Sequence, residues 1–247
     1  MSIPWTNAKR TDGFGAQVQT IVWSYICAKM KGVEFVYTPF TEIEAGNFDN
    51  DPHFMEKLEN FLGFKDKLPL VSKEMQPISP FHEIYSFIES NICAPEVKQY
   101  STELYNIFSN GKMSPFVYNT DSDFHVAVHI RRPSKHDISP RGHTPDKMYL
   151  DVMERIRQDH PNKNLFFHIY SLNPTNSTAG IDVEKYKRQD TILHIDDSIQ
   201  DTFQAFVFSD ILVTSDSSFS YVAAFLNRGE IYYKSFWHPR METWKEF

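Results

Sequence analysis

Two clusters in this chain carry the residue types needed to handle a phosphate. The first is His129-Ile130-Arg131-Arg132, which ends the β-rich run Phe124 to Ile130. Guanidinium groups grip a diphosphate through paired, charge-assisted hydrogen bonds, and they neutralise the charge that develops as a diphosphate leaves. The carboxyl end of a strand is also where open α/β sheets bind their ligands. The plainer alternative is a surface pair of arginines in salt bridges, with His129 a satisfied structural histidine. The second cluster runs from Asp210 to Ser220: a short apolar strand, a hydroxyl-rich turn containing Ser217, Ser218 and Phe219, and then a helix. Backbone N–H groups at a helix start, helped by the Ser217 and Ser218 hydroxyls, can hold an anion at the positive end of the dipole. The same residues also serve as an ordinary helix cap. A third and weaker signal is Gly13-Phe14-Gly15, whose small residues let backbone approach a ligand or simply make a tight turn.

These side chains need a scaffold, and the pattern supplies an α/β one. After the glycine turn, apolar residues recur at helical spacing from Val18 to Met30, and Val33 to Thr38 alternates as a strand. Glu42 to Lys67 is acidic and amphipathic, with Phe54, Leu58, Phe61 and Leu62 on one stripe. Leu68 to Ser72 is a short strand candidate, and Ile84–Ile92 and Val97–Ser109 read as helices. From residue 121 the reading is strand Phe124–Ile130, helix Pro145–Gln158, strand Leu165–Tyr170, helix Asp182–Gln189, strand Thr191–Ile195 and helix Ile199–Phe208. Strand Ile211–Thr214, a helix from Ser220 to Leu226 and strand Ile231–Tyr233 follow. Such alternation predicts a parallel, doubly wound sheet. At 247 residues the chain has room for two compact lobes, placed at 1–120 and 121–247.

Bulk properties narrow the partners. A net charge of −7 argues against a nucleic-acid surface, so any phosphate must be met locally. Two cysteines, Cys27 and Cys93, both in apolar surroundings, are too few for a disulfide framework or a cysteine metal site and read as buried thiols. No window approaches the ~20 apolar residues of a membrane span, and Met1 to Arg10 has no signal-peptide run, so the expectation is a cytoplasmic protein or a catalytic fragment of a longer one.

Taken in order, the three clusters resemble the fucosyltransferase-like glycosyltransferases, closest to the α-1,6-fucosyltransferases and nodulation fucosyltransferases and more loosely the α-1,2-fucosyltransferases. The glycine turn, Gln and apolar helix match Gly13 to Ile26; the His-x-Arg-Arg strand end with its polar loop and helix matches His129 to Met153. The serine strand-turn-helix matches Asp210 to Ala224. The resemblance implies a GT-B-like fold of two Rossmann-type lobes with a donor-binding cleft between them, the carboxyl-terminal lobe on the donor side. It implies an inverting transferase moving a sugar, L-fucose from GDP-fucose, onto a glycan hydroxyl, with no cofactor and no metal. Asp49-Asn50-Asp51 and Asp121-Ser122-Asp123 imitate a metal-binding Asp-x-Asp but lack its flanking strands, and Arg131 with Lys135 can supply the positive charge. Ser218 matches the family serine at the donor phosphates.

Two positions depart from the family. Pro133 and Ser134 stand where relatives carry an acidic residue, and the carboxylate expected near the donor base and ribose falls on Thr202, with Asp201 beside it. An inverting transfer needs a base for the acceptor hydroxyl; Asp137 is the candidate and His136 the alternate. Arg131 takes the diphosphate and Arg132 supports it, with Gly13, Gly15, His129, Lys135, Asp201, Ser217, Ser218 and Phe219 on the donor side. A UDP-sugar donor, as in a xylosyltransferase, uses the same diphosphate contacts. A non-catalytic carbohydrate-binding protein would account for the aromatic wealth, including Trp5, Trp23, Trp237 and Trp244. Trp237-His238-Pro239 is a candidate acceptor groove.

Overall fold

The computed structural model describes residues 3–43, 51–132, 144–173 and 180–247. The chain divides into two compact units, Met1–Met113 and Ser114–Phe247.

In the first unit the helices are α1 (Phe14–Met30), α2 (Phe54–Leu62), α3 (Phe64–Lys67), α4 (Phe81–Asn91) and α5 (Pro95–Ser109). The expected strands at 33–38 and 68–72 are reduced to single parallel bridges: Phe35 and Ile78 both pair with Trp5, and Tyr37 pairs with Leu70. Trp5 and Ile78 escape a reading by alternation because prolines flank them, and proline cannot extend a ladder. α1 begins four residues before the predicted Val18. Its capping Gly13 has φ −59 and Gly15 lies in its first turn, so neither glycine makes a left-handed turn. The amphipathic stretch up to Lys67 breaks at Gly63, whose φ of 71 closes α2 in the left-handed cap that glycine favours. Cys27 is buried but Cys93 is exposed, against the expectation of two buried thiols.

The second unit is built on β1 (Asp123–His129), α6 (Asp146–Asp159), β2 (Asn164–Ser171), β3 (Thr191–Ile195), α7 (Ile199–Phe208), β4 (Ile211–Val213), α8 (Ser218–Leu226), β5 (Glu230–Tyr233) and β6 (Lys245–Glu246). All strands pair in parallel, in the order β3-β2-β1-β4-β5-β6. This is the doubly wound arrangement that the alternation predicts, and its order reverses beside β1, where the chain crosses from the β2 side to the β4 side. The helix expected at 182–189 shrinks to one 3-10 turn, Val183–Tyr186, after which Lys187 is extended. The Tyr186 hydroxyl donates to Asp146 at 3.0 Å, which draws that turn back onto the start of α6. Gly229, entering β5, accepts no side chain, because a Cβ there would lie 2.0 Å from the Asp210 carbonyl oxygen.

Strand side chains alternate between faces, and the two faces of this sheet differ. Val126 and Val128 of β1, Phe167 and Ile169 of β2, and Ile211 and Val213 of β4 pack against Tyr149, Val152, Met153 and Ile156 of α6 in one apolar cluster. The opposite face carries His125 and His129 on β1, His168 and Tyr170 on β2, and His194 on β3. Phe206 of α7 packs on His129 and Tyr170, with ring centroids 5.1 and 5.3 Å apart, and Phe219 of α8 closes on Phe206. No helix among the described residues is long and apolar enough to cross a membrane.

Candidate functional site

A cavity of about 260 Å³ opens at the carboxyl ends of β1, β2 and β3 and reaches the start of α8. It therefore lies at the point of topological reversal, where the crossovers leave toward opposite sides and a crevice forms between them. β1 and the residues just after it deliver His129, Arg131 and Arg132 to its wall, β2 delivers Tyr170 and Ser171, β3 delivers His194, the β3–α7 turn delivers Asp196 and Asp197, and α7 adds Thr202. Ser217 and Phe219 line it from the amino end of α8.

The β1 exit is held by pairing that continues past the strand. Ile130 N–H donates to the Tyr170 carbonyl at 2.9 Å, and Ser171 Oγ donates to the Ile130 carbonyl at 2.7 Å. That leaves Arg131 at the rim, partly exposed and in the cavity lining. Arg132 also lines the cavity, but its guanidinium is engaged by the protein. It is 2% exposed and forms an ion pair with Asp146, while its other nitrogens donate to the carbonyls of Thr144 at 3.1 Å, Gly180 at 3.3 Å and Arg131 at 3.3 Å. Asp146 claims the second guanidinium, whose place is to support the wall that carries the first.

His129 Nδ1 lies 2.8 Å from Ser215 Oγ, a bond that ties β1 to the turn after β4. Burial, reinforced by the charge of Arg131, pushes the imidazole down to about 3, so it is neutral at physiological pH and contributes a dipole rather than a charge. Phe219 meets its ring edge-on at 5.8 Å. Ser217 caps α8, its hydroxyl accepting from Phe219 N–H at 3.3 Å. The helix starts at Ser218 rather than Ser220, so the turn is shorter than expected and Ser217, not Ser218, faces the cavity.

Other expected residues are placed as follows. Thr202 lines the cavity, whereas Asp201 is exposed and caps α7 reciprocally with Ser198, whose hydroxyl donates to its carboxylate at 2.7 Å and accepts its N–H at 3.0 Å. Gly13 and Gly15 belong to the first unit. Lys135, His136 and Asp137 lie outside the described residues, as do Asp49 and Asn50. Asp123 of the second Asp-x-Asp opens β1, at the strand end opposite the cavity. It accepts bonds from Asn119 and Thr120 N–H, the Thr120 hydroxyl and the Asn164 amide, which hold its carboxyl down at about 2. Trp5, Trp23 and Trp244 are buried, and Trp237 is 50% exposed.

The β3–α7 turn was not anticipated, though its signal is in the sequence: a histidine near the end of a predicted strand, followed by two aspartates. Asp196 takes φ 60, unusual for a residue with a side chain and tolerated best by Asn and Asp. This reversal brings Asp197 Oδ2 to 2.9 Å from Nδ1 of His194.

A comparison with protein-family models finds no match for this chain, and a comparison with curated proteins finds none either. Among solved structures the chain is similar to fucosyltransferase NodZ from Bradyrhizobium, at 12% identity and a TM-score of 0.43, over 92% of this chain and 94% of that one. The Se-Met form of that enzyme gives 12% identity and a TM-score of 0.45 over 97% of each chain. NodZ alpha-1,6-fucosyltransferase soaked with GDP-fucose gives 12% and 0.43, over 92% of this chain and 93% of that one. At that distance the likeness carries no residue role across.

Proposed function

We propose that this chain is a glycosyltransferase that binds a nucleoside-diphosphate sugar in the cavity at the β1, β2 and β3 ends and passes the sugar, with inversion, to a glycan hydroxyl. The observation that carries the reading is the meeting of Arg131, the Ser217-capped amino end of α8 and neutral His129 around one cavity at the sheet's reversal point. Such a place suits a diphosphate: a guanidinium on one side, the positive end of a helix dipole on the other, and walls that lower the dielectric between them. The volume, about 260 Å³, is below that of pockets enclosing a whole ligand, roughly 300 to 1,000 Å³, so the cavity takes part of the donor, which we assign to the diphosphate.

In this reading Arg131 and the α8 amino end hold the diphosphate and stabilise the charge it gains as the glycosyl bond breaks, while Arg132 fixes the Arg131 backbone through its bond to the Arg131 carbonyl. Asp137, with His136 as the alternate, takes the acceptor proton, and residues 1–120 serve the acceptor. GDP-fucose is the first donor, on the strength of the motif resemblance, and the reaction needs no metal because Arg131 and Lys135 supply its positive charge. A donor-hydrolysis panel of GDP- and UDP-sugars, run without added metal, tests this: GDP-fucose should turn over fastest. Turnover of a UDP-sugar alone would move the donor to that class. Glycan binding with no nucleotide binding would replace the transferase by a carbohydrate-binding protein.

A further inference from the structure

Four hydrogen bonds run in one line across the histidine-bearing face of the sheet. The Val117 carbonyl lies 3.1 Å from His125 Nε2; His125 Nδ1 lies 2.9 Å from His168 Nε2. His168 Nδ1 lies 3.0 Å from His194 Nε2, and His194 Nδ1 lies 2.9 Å from Asp197 Oδ2. Each link needs one proton. The carbonyl at one end and the carboxylate at the other bring none, and three neutral imidazoles bring three. The complete chain therefore holds one proton more than its neutral rings supply, and the rings together carry a positive charge against Asp197.

The ends fix the outermost bonds. A carbonyl only accepts, so His125 donates from Nε2; a carboxylate only accepts, so His194 donates from Nδ1. The ring that holds the extra proton donates from both nitrogens, and its place sets the direction of the two inner bonds. Of the three rings only His194 meets a carboxylate, Asp197 at 2.9 Å, while burial and the two flanking imidazoles push His168 down to about 3 and burial lowers His125, so the charge belongs on His194 and the inner bonds run from His194 to His168 and from His168 to His125. Its ring is stacked on Tyr170 at 4.4 Å and lines the cavity.

We propose that Asp197, His194, His168 and His125 form one proton-holding unit whose imidazolium, on His194, sets the charge of the cavity wall and so the affinity for the donor diphosphate, an inference that rests on the donor assignment above. The titratable and charged groups that touch His194 or share its cavity wall are His168 and Tyr170 on β2, Asp196 and Asp197 after β3, and His129, Arg131 and Arg132 at the β1 end; Asp201 on α7 acts on Tyr170. Protonated, the unit balances Asp197; deprotonated, it leaves the wall one charge more negative, facing an anion, and breaks the link between His194 and Asp197. Donor affinity is thus greatest while the unit keeps its proton.

The test uses GDP-fucose bound to the full chain at neutral pH. His194→Gln, which keeps a hydrogen-bonding side chain but no charge, should bind it about fivefold more weakly than wild type. Nitrogen NMR of the histidine-labelled wild type should find both nitrogens of His194 protonated and only Nε2 protonated on His125 and His168. A singly protonated His194, or equal GDP-fucose affinity in the two proteins, overturns the proposal while leaving the donor assignment standing. Absence of GDP-fucose binding by the wild type overturns the donor assignment itself, and the control over affinity with it.

Discussion

The two faces of the six-stranded sheet are built from the same strands, alternate residues apart, yet they do different work. The face under α6 is a continuous apolar cluster with Val126, Val128, Phe167 and Ile169 at its centre. The face under α7 and α8 interleaves aromatics with His125, His129, His168 and His194, each bonded through a ring nitrogen. One face supplies stability that does not titrate, and the other carries polar groups to the cavity at the strand ends. A period of two, set at the level of sequence, thus separates holding the fold from equipping the site.

Removing atoms from each face should show the contrast. Ile169→Ala, at a fully buried position of the apolar face, should cost about 3 to 4 kcal/mol by denaturant unfolding, and by the same amount at every pH. Arg132→Ala should cost about 3 kcal/mol, because it leaves Asp146 beneath the cavity wall without its guanidinium; a loss under 1 kcal/mol would return Arg132 to the ligand. His168→Phe should cost only about 1 to 2 kcal/mol at neutral pH, from the two ring nitrogens left unpartnered, but should change the acid limb. His168 is lowered from its ordinary 6.5 to about 3, so the unfolded chain binds the extra proton between those values. The stability it contributes is complete above about 6.5 and lost as pH falls toward 3. The variant should therefore have a flatter acid limb, whereas Ile169→Ala should keep the wild-type slope. The smallest effect is expected from Ser198→Ala, about 1 kcal/mol, for the lost α7 cap.

How far the sequence reaches follows the same division. Thr191–Ile195 and Ile199–Phe208 coincide with β3 and α7 because alternation and helical spacing report burial directly. Strand ends also lie within reach, which is why His129 and Arg131 are found in the cavity. What local pattern cannot show is the partner contributed from elsewhere in the chain. Arg132 reads as support for the phosphate side, and only the folded chain shows that Asp146, fourteen residues on, pairs with it. The histidine line joins residues spaced 43 and 26 apart on three strands and becomes visible only when β1, β2 and β3 are placed in register. Ser217 and Ser218 differ by one residue in sequence, and the start of α8 decides between them.

The central claim is that Arg131, at the exit of β1, grips the diphosphate of a nucleotide sugar. The most direct test compares turnover of GDP-fucose by wild type and Arg131→Ala, with unfolding followed in parallel. Turnover should fall at least ~100-fold while the unfolding midpoint stays within the range of ordinary surface substitutions. Near-normal turnover by a folded Arg131→Ala protein would contradict the account.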